Sequence, residues 1–238
     1  MPSMMDHLAE NLNRVHTEIA DACRRAGRSP DSVKLVAVTK YAELADVRRL
    51  VELGTIDLGE SRPQQLTERA SQLPAEVQWH FIGHLQRNKV KPVLSHAALI
   101  HSVDSLRLLE RISSVAAEMS LRPRVLLEVN VSGEASKNGI SMEELRSQWN
   151  LFQSVPNIEI AGLMTMAPLA DDPETARPFF RQLRFLNDEL AAKALPHVKL
   201  TELSMGMSGD FIVAVEEGAT LVRIGSRLFA TPSPPTSP

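Results

Sequence analysis

Two short stretches, Leu203-Ser-Met-Gly-Met-Ser-Gly-Asp210 and Leu221-Val-Arg-Ile-Gly-Ser226, decide the fold of this chain. In each, an apolar, strand-like run breaks into glycine and serine. Successive small residues let several backbone N–H groups converge without obstruction, and the serine hydroxyls add donors, an arrangement that suits a phosphate. A third run, Val33-Lys-Leu-Val-Ala-Val-Thr39, closes on Lys40. In a (β/α)₈ barrel the first two stretches would be the turns after the seventh and eighth strands, where such barrels commonly hold phosphate. Lys40 would end the first strand on the same face.

The rest of the chain is read outward from these points. Leu8, Leu12, Val15, Ile19, Ala22 and Cys23 recur at helical spacing and predict an amphipathic helix ahead of any strand. Strands are predicted at 34–39, 55–59, 78–83, 99–103, 124–131, 159–164, 199–203 and 221–225. Several are nearly continuous apolar runs, as parallel strands covered on both faces require. Helical patterns fall between them at 42–53, 62–73, 86–94, 105–120, 142–152, 173–194 and 210–217, with Asp104-Ser105 and Asp171-Asp172-Pro173 as N-terminal caps. The alternation reads as a single α/β domain, a (β/α)₈ TIM barrel over residues 1–230 with an extra N-terminal helix. An open doubly wound sheet would share most local patterns; the strand count without a long insertion favours closure. Residues 231–238, Thr-Pro-Ser-Pro-Pro-Thr-Ser-Pro, read as a Pro/Ser-rich tail that cannot pack.

Composition narrows the function classes. With 43% hydrophobic and 23% charged residues in 238, the chain has the make-up of a soluble globular protein with little room for long disorder. A formal charge of −3 gives no electrostatic case for nucleic acid or an anionic membrane. Cys23 is the single cysteine, so no internal disulfide can form, which favours a reducing, cytoplasmic setting. Asp6, Glu10 and Arg14 interrupt the N-terminal segment and rule out a signal-peptide apolar core, and no run is long and apolar enough to span a bilayer.

Strand ends face the site in such barrels, and here they are Lys40, Glu60, His84, Asp104, Asn130, Thr165, Ser204 and Gly225-Ser226. Polar residues also end strands for ordinary reasons, and Asp104 reads as a helix cap. Alternation is more telling: Leu221, Arg223 and Gly225 share one side of their strand, so Arg223 points inward one layer below the mouth. An interior guanidinium needs an anion or a strong acceptor. Glu202 or Glu60 could pair with it, but the adjacent Gly-Ser favours an acceptor-rich ligand. His80 reads as a satisfied core histidine, and His84 as a residue that could approach the ligand. Arg87 and Lys89 read as a solvated helix face before an attractor of an anionic ligand, Lys137 in the loop after Asn130 as a surface lysine before a second amine visiting the site, and Met164, Met166, Met205 and Met207 as filler. There is no metal-ligand spacing, GxSxG elbow, P-loop or dinucleotide fingerprint. A phosphate grip opposite a strand-end amine suits pyridoxal phosphate held by Lys40 as a Schiff base.

With these residues in view, the chain resembles the pyridoxal phosphate homeostasis protein family, also called the proline synthase co-transcribed family. The segments that carry the likeness are Val36-Ala-Val-Thr-Lys40, Leu58-Gly-Glu60, His80-Phe-Ile-Gly-His-Leu-Gln-Arg-Asn-Lys89, Glu134-Ala-Ser-Lys137, Gly162-Leu-Met164, Leu203-Ser-Met-Gly-Met-Ser208 with Asp210, and Val222-Arg-Ile-Gly225. The resemblance implies a barrel like the alanine racemase N-terminal domain, with pyridoxal 5'-phosphate as cofactor. It implies Lys40 as the lysine of the internal aldimine and Ser204, Ser208, Gly225 and Ser226 around the phosphate. Arg223 would lie toward the pyridine nitrogen, with Glu60 and His84 nearby. Ser61 stands where the family usually has asparagine. The function implied is binding, buffering and release of the cofactor, without substrate turnover, by a monomer or weak dimer that serves acceptor apoenzymes. An amino-acid racemase is the alternative. Racemases of the related fold use an additional β domain and a tyrosine base, whereas the one tyrosine here is Tyr41; His84 would have to replace that base.

Overall fold

The strand runs condense into β1 (Lys34–Val38), β2 (Asp57–Glu60), β3 (Gln78–Phe81), β4 (Ala97–Val103), β5 (Arg124–Asn130), β6 (Ile140–Ser141), β7 (Glu159–Met164), β8 (Glu202–Met207) and β9 (Leu221–Ile224). The structure is a computed structural model that describes residues 4–134 and 138–230. Every pairing is parallel. The order runs β4-β3-β2-β1-β9-β8-β7-β5, and β4 pairs back onto β5 with Leu99 beside Arg124. That last pairing closes an eight-strand barrel and excludes the open doubly wound sheet, in which two edges would stay unpaired. The two-residue β6 lies outside the barrel, against the end of β5.

Alternation sorts side chains into two cores. Val36, Leu99, Leu126, Ala161, Met164 and Leu221 form a small cluster separate from the main one. They fill the barrel, which makes it a packed layer and not a pore. Their strand neighbours Leu35, Ala37, Ile100, Val125, Leu127 and Val222 belong to the larger outer core between strands and helices. Below the inner layer, Arg124 pairs with Glu159 at 2.9 Å and Glu202 at 3.4 Å.

The helices are α1 (Met4–Arg25), α2 (Leu44–Glu52), α3 (Pro63–Ala70), α4 (Val90–Leu94), α5 (Leu106–Glu118), α6 (Met142–Gln153), α7 (Arg177–Ala192) and α8 (Phe211–Glu216). The predicted α1 stripe from Leu8 to Cys23 is buried, each larger apolar side chain contributing about 1.5–3 kcal/mol of transfer free energy at most. Asn11 on α1 donates to the carbonyls of Leu228 (3.0 Å) and Ala230 (2.9 Å), which ties the last described residues back to the first helix. Ser105 caps α5 through the Leu108 N–H, as its position before the apolar run predicts.

One boundary differs from the sequence reading. The strand expected to end at Leu203 starts at Glu202 and continues through Ser204, Met205 and Gly206 to Met207. Gly206 has φ +89°, and a Cβ there would sit 2.5 Å from the Ala214 Cβ and 2.9 Å from the Phe211 Cα. Its smallness serves the packing of α8, and the turn begins only at Ser208.

Candidate functional site

A cavity of about 540 Å³ opens among the strand ends on the C-terminal face of the barrel. This is within the roughly 300–1,000 Å³ of small-molecule sites. β1 leads straight to it: Val36 lies in the inner core, so Val38 and Lys40 follow on the inward side and both line the cavity. Lys40 Nζ lies 5.0 Å from the centre of the Tyr41 ring, and that ring is 80% exposed at the rim. Across the cavity, Ser208 and Gly209 leave β8 while Gly225 and Ser226 leave β9. The Gly225 N–H donates to Ser208 Oγ at 3.3 Å, which joins the two turns. A Cβ on Gly225 would lie 3.1 Å from the Val38 carbonyl oxygen, so β1 and β9 meet closely here because the residue is glycine. The Asp210 carboxylate accepts from the Met207 N–H at 2.6 Å and fixes the β8 turn; burial raises its affinity for a proton.

Of the eight site residues expected from sequence, Lys40, Ser208, Arg223, Gly225 and Ser226 line this cavity. Ser204 does not: it is fully buried inside the barrel, where its hydroxyl accepts from Arg223 Nη1 at 2.5 Å and lies 2.8 Å from His101 Nδ1. The shifted β8 boundary is the cause. Glu60 faces outward to α3, where its carboxylate bonds the Thr39 hydroxyl at 2.6 Å and Arg69. Gly59 takes the inward place on β2, with room only up to Val36 and Ile82. Arg69 also holds the carbonyls of Thr39 (2.7 Å) and Ala42 (2.6 Å), so Glu60 supports the Lys40 turn from behind. Burial raises the Glu60 proton affinity, against the pull of Thr39 and Arg69. His84 stands apart on the β3 side, half-exposed and 3.1 Å from Asp104. Ser61 lines the cavity, whereas Lys137 and the 231–238 tail lie outside the described residues.

Arg223 is buried in the barrel with its side chain toward the cavity floor. Among the described residues it takes no carboxylate partner: Nη2 donates to the Thr165 carbonyl at 2.9 Å and Nη1 to Ser204. Desolvation brings its pKa down to about 10, opposed by the fields of Asp210 and Glu128, so it remains a cation at neutral pH. Glu128, inward on β5, is pushed up to about 7, first by burial and then by Asp104, with Arg223 and His84 opposing.

Sequence reading passed over two parts of the site. His101, fully buried, follows Leu99 in phase with the barrel interior and could have been found by alternation. The apolar wall Met166-Ala-Pro-Leu-Ala170, with Leu169 fully exposed, follows β7 as a loop and carries no periodic signal.

The residues fit pyridoxal phosphate on their chemistry. A primary amine, glycine-serine turns with backbone donors, and apolar flanks from Val38, Ile82 and Met166 share one wall system. Fold and site together define a class: residues 5–232 match the family model for the alanine racemase N-terminal domain. The pyridoxal phosphate homeostasis protein of Aquifex aeolicus is 43% identical over 224 residues, which are 92% of this chain and 96% of that protein. A crystal structure described as an unknown protein from Bifidobacterium adolescentis superposes with a TM-score of 0.90 at 34% identity, covering 94% of this chain and 95% of that one. PipY of Synechococcus elongatus, determined with PLP bound, gives a TM-score of 0.78 at 35% identity over 89% of this chain and all of that one. The chain belongs to the alanine racemase N-terminal domain family and, within it, to the pyridoxal phosphate homeostasis proteins.

Proposed function

We propose that this protein binds, buffers and releases pyridoxal 5'-phosphate in the cytoplasm, without turning over a substrate of its own, for delivery to acceptor apoenzymes. The observation that carries this reading is the shared cavity: the Lys40 amine and the Ser208-Gly209 and Gly225-Ser226 turns line the same 540 Å³. When bound, the cofactor supplies an aldehyde that condenses reversibly with a primary amine. Lys40 offers that amine, the two turns offer backbone and hydroxyl donors to the phosphate, and Arg223 offers a cation toward the ring nitrogen. A guanidinium there opposes protonation of the ring, which weakens it as an electron sink and favours storage over carbanion chemistry. Ser204 acts through Arg223, and Glu60 through the Lys40 turn. Racemisation has less support, because His84, the residue that would replace the tyrosine base, is engaged with Asp104 outside the cavity.

The test is spectroscopic. Purified protein given pyridoxal phosphate is expected to turn yellow, with a band that borohydride abolishes and that Lys40→Ala lacks. A colourless protein that takes up no added cofactor overturns the reading. Sustained racemisation of an amino acid, lost in Lys40→Ala, replaces it with the racemase class.

A further inference from the structure

A continuous line of buried polar side chains crosses the barrel beneath the cavity. Asp57 Oδ1 lies 2.9 Å from His80 Nε2, His80 Nδ1 lies 2.9 Å from His101 Nε2, and His101 Nδ1 lies 2.8 Å from Ser204 Oγ, which Arg223 holds at 2.5 Å. The line starts on β2, climbs through β3 and β4, crosses to β8 and ends on β9. His101 and Ser204 are fully buried and His80 and Arg223 nearly so; only Asp57 has partial exposure.

Donor counting gives the line a direction. Arginine can only donate, so its bond occupies one of the two lone pairs of the Ser204 oxygen, and that hydroxyl can either donate to His101 Nδ1 or accept from it. A neutral His101 that accepts at Nδ1 carries its proton on Nε2 and donates it to His80 Nδ1. His80 then carries its own proton on Nε2 and donates to the Asp57 carboxylate, which only accepts. It is the acceptor-only Asp57 end, with both rings neutral, that selects this assignment over the reverse. Burial, with His80 and Arg223 adding to it, holds the His101 pKa well below the histidine range, consistent with the neutral ring. Ser204 has no exposed area, so this is not a serine nucleophile. Apolar side chains of similar volume would fill the space without polar desolvation.

We infer that Asp57, His80 and His101 are positioning residues for Arg223. Through Ser204 they fix the guanidinium at the cavity floor, so the proton affinity of the bound cofactor's ring nitrogen is set partly from the opposite end of the barrel. The inference rests on the reading of the cavity as a pyridoxal phosphate site. The other charges that face Arg223, Glu128 on β5 and Asp210 after β8, are left intact in the test.

Two readouts test it. In cofactor-free protein, ¹⁵N NMR of the imidazoles should show both His80 and His101 protonated at Nε2. In cofactor-loaded protein, the pH midpoint of the visible absorbance should move up by about one unit in His101→Phe, as a loosened cation permits. Asp57→Asn, which keeps the size and an acceptor oxygen, should move it less in the same direction, and His101→Gln should restore most of it. Should His101→Phe fail to fold, Asp57→Asn decides. A proton on His101 Nδ1 overturns the inference. So do unchanged midpoints in the chain variants when Arg223→Lys shifts its own, a result that leaves the cofactor reading standing. If wild-type protein takes up no cofactor, both fall together.

Discussion

Two polar corners open onto the same face of this barrel, each lining a hollow of similar volume, and they differ in how far that hollow is enclosed. On the β1–β9 side, Lys40, Ser208, Gly225 and Ser226 stand around 540 Å³ of space walled by Val38, Ile82 and the 166–170 loop. On the β3–β4 side, His84 and Asp104 lie 3.1 Å apart at the edge of a more open hollow of about 560 Å³, with the histidine half in water. Their strand-end residues are equally polar in sequence. The difference lies behind them: the Lys40 turn is buttressed by the buried Glu60–Arg69 pair and floored by Arg223, while the His84 turn is an exposed contact. Enclosure and support, more than polarity at a strand end, make a site.

Removing the buttress should have the largest effect on stability. Arg69→Ala leaves a fully buried carboxylate without its counter-ion and frees the Thr39 and Ala42 carbonyls, a loss of about 3–5 kcal/mol. Denaturant unfolding measures it. A loss under 1 kcal/mol would mean that the two corners do not differ in support.

Glu128 lies between the corners, feeling Arg223 from one side and Asp104 and His84 from the other. Its folded pKa of about 7 stands above the reference 4.5, so the native state binds the proton more tightly than the unfolded chain. The destabilisation is therefore absent below about pH 4.5, grows as pH rises, and is complete above about pH 7, where it reaches about 3 kcal/mol. Glu128→Gln should remove that fall, seen as a flatter profile of unfolding free energy between pH 5 and 8. An unchanged profile would show that Glu128 is solvated.

The smallest effect belongs to the open corner. His84→Ala should change stability by no more than about 0.5 kcal/mol, the value of an exposed pair, and leave cofactor uptake unaltered. A loss of uptake would bring the β3 side into the site and dissolve the contrast.

Much of this was legible in the residues. Period-two alternation placed Lys40 and Arg223 on inward faces, because Val36 and Leu221 two positions earlier belong to the inner core. Glu60 was misread for a reason internal to the same rule: Gly59 occupies the inward position beside Val36, which turns its neighbour out to Arg69. Ser204 was misread because glycine and serine signal a turn locally. Here the glycine at 206 is demanded by the approach of Ala214 and Phe211, a closeness that only the packing of α8 against β8 reveals.

By itself, then, the sequence determined the barrel's strands, its inward-facing charges and the glycine-serine turns, since these follow from short-range periodicity and backbone freedom. Tertiary structure alone decided which strand-end residues share an enclosed space, which carboxylate supports and which faces water, and that two histidines join Asp57 to Arg223. Those relations depend on barrel closure, which brings β4 against β5 and sets His101 of β4 across from Ser204 of β8, 103 residues away.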